Sequence, residues 1–585
     1  MRRADASHPG ALALAVVGAG LAALALVPPD TAARWLDPRA AEPRLGALLE
    51  GLRLFRLLAA LHAALAGGAA IWLARRSPSD EPRPSLWAPG PRTDGPWRPL
   101  EIALVAALLV AAAVVRLVGA RSDLWMDEVF TLTEFVRKPA GVIATSFPHD
   151  NQHLLYSLLA RASVATLGES VLALRLPAIL LGLASLVAVL RLGALSFGRR
   201  VALLALALLA LSYHHVWFSQ NARGYTGLLL GTVLATDLLL RALWRGGIGR
   251  WLAYAASVAL AMWIHLTMVF VPLAHGLVVL GLVAARTPSA GPRATIRSAL
   301  PAFAALASAG SLTLLLYAPV LPQVLAFFAR PGGGSTTAAV EWKSPLWLLN
   351  ETFRGLGVGL ALGWLGLAAG CAVFATGGLR LLRRDPTVAG LFALPPTLGG
   401  VALLALGRNL WPRFFFQEAG FAALVAVDGA CALGALAARA VRARGPWPAR
   451  LELAPALLLI VASAITLPRG WRLPKQDYTG ARDFVRAEAR PGDRVVGLDV
   501  AGEVYHRYYA PEWAWARSRE ELETDLAPAG ATWVLYTLPR YLGATQPDLV
   551  AWLERDFELV RSFPGTVGDG AIVVRRRPAP AGDTP

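Results

Sequence analysis

Along most of this chain the apolar residues follow neither the alternation of a strand nor the stripe of an amphipathic helix. They run on for roughly 17 to 25 residues and stop at short polar breaks. A helix apolar on every side suits lipid, and there are too many such runs for one globular interior. The pattern predicts about thirteen membrane-spanning helices, at 11–28, 54–74, 100–119, 171–192, 201–219, 225–243, 251–265, 266–285, 299–321, 356–381, 387–406, 414–436 and 452–468. The pair 251–265 and 266–285 shares one long apolar stretch, broken at His265. The first run follows Arg2 and Arg3. It is longer than a signal-peptide core and lacks a clear small-x-small cleavage site, so it reads as a signal anchor that stays.

From about Trp471 the pattern changes. Asp477 to Ala489 has the period of an amphipathic helix, and Pro491, Gly492 and Asp493 make a turn. The stretches from Arg494 to Val500 and from Ala531 to Tyr536 read as short buried strands. The expected fold is an α-helical polytopic membrane protein with a small C-terminal α/β domain of about 110 residues. Its parts are two additional N-terminal helices with a loop (1–99), a transmembrane core (100–470) and the α/β domain (471–585).

Composition agrees: of 585 residues 56% are hydrophobic and only 16% charged, where a soluble domain is nearer a quarter charged. The formal charge of +17 does not mean nucleic acid, because the arginines cluster in short loops. With the amino terminus inside, the cytoplasmic loops hold Arg75, Arg76, Arg83, Arg92 and Arg98; Arg191, Arg199 and Arg200; Arg241, Arg245 and Arg250; Arg286, Arg293 and Arg297; Arg380, Arg383 and Arg384; and Arg439, Arg442, Arg444 and Arg450. Every second loop is basic, as the positive-inside rule requires, and an odd number of spans puts the carboxy terminus outside. The stretch 29–53, which mixes arginines with acids, is the exception. Cys371 and Cys431 both lie in apolar segments, so there is neither a disulfide framework nor metal-site spacing.

Three long outward stretches, 120–170, 212–225 and 322–355, are where chemistry is expected. Asp127 and Glu128 immediately follow the third span. Partial desolvation there raises a carboxylate's proton affinity, which suits a general base acting on a hydroxyl, although an acidic pair also marks an ordinary helix start. Asp150 and His153 are spaced to share one helical face and so to orient a sugar or a metal; a turn aspartate beside a polar histidine is the plainer reading. Arg223, between two spans, and Arg413 suit phosphate, and equally suit anchoring helices at headgroups. His265 and the pair His214 and His215 fit interhelical hydrogen bonds better than metal. Asp237 and Asp428 fall within spans, towards the cytoplasmic half, where structural pairing competes with function. Gly332 to Gly334, with no Gly-Lys-Ser/Thr after them, make a hinge for a mobile lid or a linker, not a phosphate cradle.

Taken in order, several short motifs resemble the GT-C glycosyltransferase superfamily. They are Leu124-Trp125-Met126-Asp127-Glu128, Asp150 with His153-Leu154-Leu155-Tyr156, Arg175-Leu176-Pro177, Phe197-Gly198-Arg199-Arg200, and Ser219-Gln220 with Arg223 and Tyr225. More narrowly, they look like the bacterial relatives of protein O-mannosyltransferases and lipid A aminoarabinose transferase. Pro412-Arg413-Phe414-Phe415 and Lys475-Gln476-Asp477-Tyr478 also look like that group, and the resemblance covers about 100–480. It implies a GT-C fold with juxtamembrane helices in the first outer loop, a polyprenyl-phosphate sugar donor, and a lipid, polysaccharide or protein acceptor reached from the periplasm of a bacterial inner membrane. By motif position Asp127 matches the proposed base and Glu128 its companion. Asp150, His153, Tyr156, Arg223, Tyr225, His265 and Arg413 are the expected substrate-binding residues. The family's common His-Pro-Pro is His153-Leu154-Leu155 here, and two spans precede the usual core. The sugar, the acceptor and a divalent metal are left open. The rival classes are a non-catalytic subunit that binds lipid-linked sugar, and a lipid or sugar transporter, for which paired mid-span charges and an internal repeat would speak.

Overall fold

The computed structural model describes residues 9–75, 85–89, 96–330, 340–359 and 363–579. Each of the predicted apolar stretches carries a helix. Among the described residues nine helices are long and apolar enough to cross a bilayer, or up to eleven if two sharply bent pairs each count as one span. The stretch predicted as one span at 201–219 is such a pair, Arg199–Ala210 and Tyr213–Ser219, bent by 62°. Fully buried Arg116 explains how the bend is tolerated: it donates to the Leu209 and Ala210 carbonyls freed at the break, and touches His215 and Ser219. The stretch 251–265 forms Ile248–Ile264, apolar but short, and His265 does break the chain before the next helix.

Three spans form the centre. The apolar windows of Val171–Ser196 and Pro412–Ala440 are each 61% buried and that of Tyr225–Arg245 78%, against 11% for Pro99–Leu117, whose Leu100, Ile102 and Val110 face outward to lipid. Pro177 lies inside Val171–Ser196 and cannot bond the Ala173 carbonyl. Ser163 takes its place, its Oγ donating to that oxygen at 2.6 Å, so the helix continues unbroken.

The basic loops gather at one end of the bundle and are stitched together there. Asp237 pairs with Arg191 and Arg241, Glu101 with Arg199, Glu452 with Arg200, and Asp428 with Arg380. The two intramembrane acids are thus structural partners of arginines. At the other end the outer stretch 120–170 is built of short helices, Met126–Phe130 running into a π-helical turn Thr131–Val136, then Ala140–Ala144 and Leu154–Leu167. The mixed stretch 29–53 lies at this end too: Leu36 packs on Gly141, where a Cβ would collide with its backbone. The expected loop 322–355 is largely helical, with Leu321–Ala329 and Pro345–Gly359, and this second helix takes the residues where the span at 356–381 was expected to begin. The hinge Gly332 to Gly334 falls outside the described residues.

The C-terminal part is an α/β unit. Tyr478–Glu488 forms the expected amphipathic helix, started by Asp477, whose carboxylate accepts from the Gly480 amide. The strands are β1 (Arg494–Leu498), β2 (Ala514–Ala516), β3 (Thr532–Tyr536), β4 (Glu558–Phe563) and β5 (Ile572–Arg577), in the order β2-β1-β3-β5-β4. The first three are parallel, and β5 and β4 close the sheet antiparallel. One continuous core joins this unit to the outer helices: Leu124, Val129, Leu132, Val136 and Tyr156 pack with Tyr478, Val504, Tyr505, Tyr509 and Trp513. Tyr505 is fully buried at the junction, against Tyr478 and Trp513. Tyr505→Ala is therefore expected to cost about 3–5 kcal/mol. Thermal unfolding of the purified full chain in detergent should show the lower midpoint; an unchanged midpoint would mean the two parts do not share this core.

Candidate active site

The site is organised around Glu128, which is fully buried. Arg175, near the start of a central span, grips it at both oxygens, Nε to Oε1 at 2.8 Å and Nη2 to Oε2 at 2.6 Å. The Ala222 amide donates to Oε1 at 2.6 Å and the Trp125 amide to Oε2 at 3.3 Å. Lys475 Nζ stands 3.9 Å from Oε2, donates to the Gln220 carbonyl and lies over the Trp217 ring. Arg175 has its own further acceptors, the Ala120, Ser122 and Asp123 carbonyls. A buried ion pair is tolerable only when every remaining donor and acceptor is satisfied in this way.

Burial alone would raise the Glu128 carboxyl, but Arg175 and Lys475 beside it, with the hydrogen bonds, bring it below the usual carboxylate range. The expectation that desolvation would raise its proton affinity therefore fails for Glu128. Its oxygens are committed to the scaffold.

Asp127, the preceding residue on the same short helix, turns a different way. It is buried, and its nearest approaches to cations are Oδ2 to Arg413 Nη1 at 3.5 Å and to Arg223 Nη2 at 3.9 Å. These separations exceed a charge-assisted hydrogen bond of about 2.8 Å, so the arginines face the acid without closing on it. Among the described residues no hydrogen bond reaches its carboxylate; those at this residue, from Thr131 and Asn151, go to its backbone carbonyl. The Nε atoms of both arginines are likewise buried without a partner.

Arg223 is fixed from behind. Its Nη1 donates to the Asn151 carbonyl at 2.8 Å and to the Asn151 side chain, and its guanidinium lies 5.9 Å from the Tyr225 ring. His153 accepts the Gly224 amide at Nδ1, 2.8 Å, and packs edge-on to His265 and Tyr225. That approach requires glycine at 224, where a Cβ would lie 2.8 Å from His153 Nδ1. Burial first, then Arg223 and His265, holds His153 well below the usual imidazole range, and so neutral.

The structure thus brings together Asp127, Arg223, Arg413, His153, Tyr225 and His265. Asp150 joins them at the rim, exposed and within electrostatic reach of both arginines. It does not share a helical face with His153, because the helix starts only after His153, at Leu154. Tyr156 stands apart: it is fully buried in the outer core and its hydroxyl is spent on the Leu174 carbonyl. His214 and His215 make interhelical bonds, to Gly355 and to Arg116 with Ser185. Among the described residues no three His, Cys, Asp or Glu side chains gather as metal ligands.

Sequence reasoning missed the roles of Arg175, Lys475 and Gln476, which it quoted only inside motifs. A signal was present for Arg175: a charge in the first turns of an apolar run needs a buried counter-charge, and Glu128 is the nearest acid without another use.

Residues 151–321 match the protein family described as dolichyl-phosphate-mannose-protein mannosyltransferase. The matched stretch lies within about 100–480, where the motif order carries its resemblance. Among solved structures it is similar to ArnT from Cupriavidus metallidurans in the apo state, at 14% identity and a TM-score of 0.46, over 81% of this chain and 97% of that one. It is also similar to the oligosaccharyltransferase AglB from Archaeoglobus fulgidus, in complex with an inhibitory peptide and a dolichol-phosphate, at 13% identity and a TM-score of 0.48, over 83% of this chain and 75% of that one. A further relative, efflux pump ustT of Ustilaginoidea virens, is 29% identical over 130 residues, a match spanning 22% of this chain and 22% of that protein.

Two outcomes follow for the clamp. Glu128→Gln, which leaves Arg175 buried beside a neutral group, should destabilise the protein by about 3–5 kcal/mol in thermal unfolding; a loss under about 1 kcal/mol would mean water reaches the pair. Burial, then Arg175, pulls the Lys475 ammonium down to about 7, against the pull of Glu128. From about pH 7 to 10 the unfolded chain keeps a proton that the folded chain has lost, so stability rises with pH across that window and is flat below it. The midpoint difference between wild type and Lys475→Met should carry that slope; a pH-independent difference would refute it.

Proposed function

We propose that this chain is a membrane glycosyltransferase that moves a sugar from a polyprenyl-phosphate donor to a hydroxyl on a lipid, polysaccharide or protein of the cell envelope. The reaction takes place on the extracytoplasmic side of a bacterial inner (plasma) membrane. One observation carries the reading: at the end of the bundle opposite the basic loops, Asp127 presents a carboxylate that no hydrogen bond closes on, beside two guanidiniums with unpartnered buried nitrogens. A carboxylate left open in this way can take a proton, and paired arginines hold phosphate oxygens. The family matched over 151–321 is itself described by a lipid-phosphate-linked sugar.

In a single displacement the acceptor hydroxyl gives its proton to the Asp127 carboxylate while its oxygen bonds to the anomeric carbon. The bond from that carbon to the phosphate oxygen breaks, its electron pair leaves with the lipid phosphate, and the configuration inverts. A phosphate is a weak base, so it needs charge and not a general acid; Arg223 and Arg413 supply it. Holding lipid-borne donor and acceptor in line at the boundary supplies much of the rate. Two guanidiniums face Asp127, and among the described residues no three His, Cys, Asp or Glu side chains gather there, so no step is routed through a divalent metal.

The efflux-pump match favours a transporter as the second reading. Against it, Asp237 and Asp428 are tied to arginines near the basic end, and the polar cluster lies at the outer end of the bundle, not at its middle. Transfer of radiolabelled sugar from polyprenyl phosphate by the purified protein discriminates: transfer supports the enzyme, binding alone the non-catalytic subunit, and flux across vesicles without transfer the pump. Asp127→Asn, nearly isosteric, should lower transfer by about 10²–10⁴-fold at equal protein. Full activity would remove Asp127 from the mechanism.

A further inference from the structure

The helix that carries Asp127 starts at Met126 and runs on through the π-helical turn to Val136, so Asp127 stands in its first turn. The first amides of a helix have no carbonyl one turn earlier to bond, so that turn needs support from outside. The four residues ahead of Asp127 are held from elsewhere, and three of them, Asp123, Leu124 and Met126, are held by the C-terminal domain. The Asp123 carboxylate accepts from the Thr479 amide at 2.7 Å and the Thr479 hydroxyl at 2.9 Å. The Leu124 carbonyl accepts from the Tyr509 hydroxyl at 2.8 Å. The Met126 amide, the first of the helix, donates to Gln476 Oε1 at 3.0 Å. The Trp125 indole and the Asp123 carbonyl are held from the bundle, by Asn221 Oδ1 at 3.0 Å and Arg175 Nη2 at 2.8 Å.

Gln476 is fully buried and its orientation is determined by its other end. Nε2 donates to Thr537 Oγ1 at 2.8 Å, and that hydroxyl spends its own proton on the Ala571 carbonyl at 3.1 Å. The Thr537 oxygen therefore accepts, the glutamine must present nitrogen to it, and the carbonyl is left facing Met126. A chain of three hydrogen bonds thus runs from the ends of β3 and β5 to the first turn of the helix bearing Asp127.

We propose that Gln476 is a positioning residue for the transfer reaction. It caps the Asp127 helix from the C-terminal domain, so a correctly seated domain is a condition for turnover, whichever acceptor is used. The proposal rests on the reading of Asp127 as the proton acceptor. Gln476 touches neither sugar nor phosphate. Its loss should tilt the first turn of the helix and move Asp127 relative to Arg223 and Arg413, and a shift of about 1 Å in a reacting group costs up to about 100-fold in rate.

The test uses the purified full-length protein in nanodiscs with radiolabelled polyprenyl-phosphate sugar. Gln476→Met keeps the volume and removes both hydrogen bonds; Gln476→Glu keeps the acceptor for the Met126 amide. The expected result is a kcat lowered about 10- to 100-fold in the Met variant, a donor KM within about twofold of wild type, and most of kcat recovered in the Glu variant. Hydrogen exchange of a peptide spanning 124–137 should quicken in the Met variant and not in the Glu variant. Thr537→Val, two bonds from the helix, reads the same direction with a smaller loss if the Met variant does not fold. An unchanged kcat, a loss in KM alone, or equal losses in both variants with unaltered exchange would overturn the proposal. Asp127→Asn separates the failures. If it is inactive while Gln476→Met is fully active, only the positioning role falls; if Asp127→Asn is fully active, the reading of Asp127 falls, and the exchange measurement still decides whether Gln476 holds the helix.

Discussion

A single buried carboxylate, Glu128, ties together four separate parts of this protein. The outer loop supplies the acid, a central span supplies Arg175, the turn at 219–224 supplies the Ala222 amide, and the entry to the C-terminal domain supplies Lys475. An ion without water is strongly unfavourable unless each oxygen is met, so the clamp is satisfied in one arrangement of those four parts and in few others. Asp127 inherits its place from that arrangement. Successive helical residues point about 100° apart, so with Glu128 turned into the scaffold, Asp127 is turned to the arginines. The adjacent pair divides its labour: one acid builds the wall and the other faces the opening.

The two ends of the bundle differ in how their charges are used. At the basic end arginines and acids close on each other at about hydrogen-bond distance, binding span to span. At the outer end the guanidiniums of Arg223 and Arg413 stop short of Asp127 and keep unpartnered nitrogens. Buried polar atoms without partners are rare in folded proteins, and here two of them stand beside an acid. The C-terminal domain packs against the same outer loop. Its aromatic face, with Tyr478, Tyr505, Tyr509 and Trp513, is continuous with the outer-loop core.

Much of the architecture was legible because lipid imposes a simple pattern. Runs such as 171–192 and 225–243 could be read as helices without knowing their neighbours, and the break at His265 was visible as one polar residue in an apolar stretch. The strands at 494 and 532 were equally plain, whereas β2, three residues long, and the exposed β4 carry too little pattern to be seen. The candidate residues were legible in kind but not in use. Tyr156 and Arg223 sit in equally polar-looking motifs, yet the first is locked in a core and the second faces the opening; that difference depends on which carbonyl or side chain folds back on them. Gln476, some 350 residues from its partner Met126, gave no local sign of its contact. Long-range pairing of this kind is set by packing and leaves no periodicity to read.

The central claim is that the opening around Asp127 faces away from the cytoplasm, where a lipid-borne sugar can be transferred. Asp150 lies exposed at its rim and offers the most direct measurement. With Cys371 and Cys431 replaced by serine and Asp150 by cysteine, a membrane-impermeant thiol reagent is applied to sealed, right-side-out membrane vesicles. The account predicts labelling of the new thiol before the membrane is permeabilised. Labelling only after permeabilisation would put the opening on the cytosolic side and contradict it.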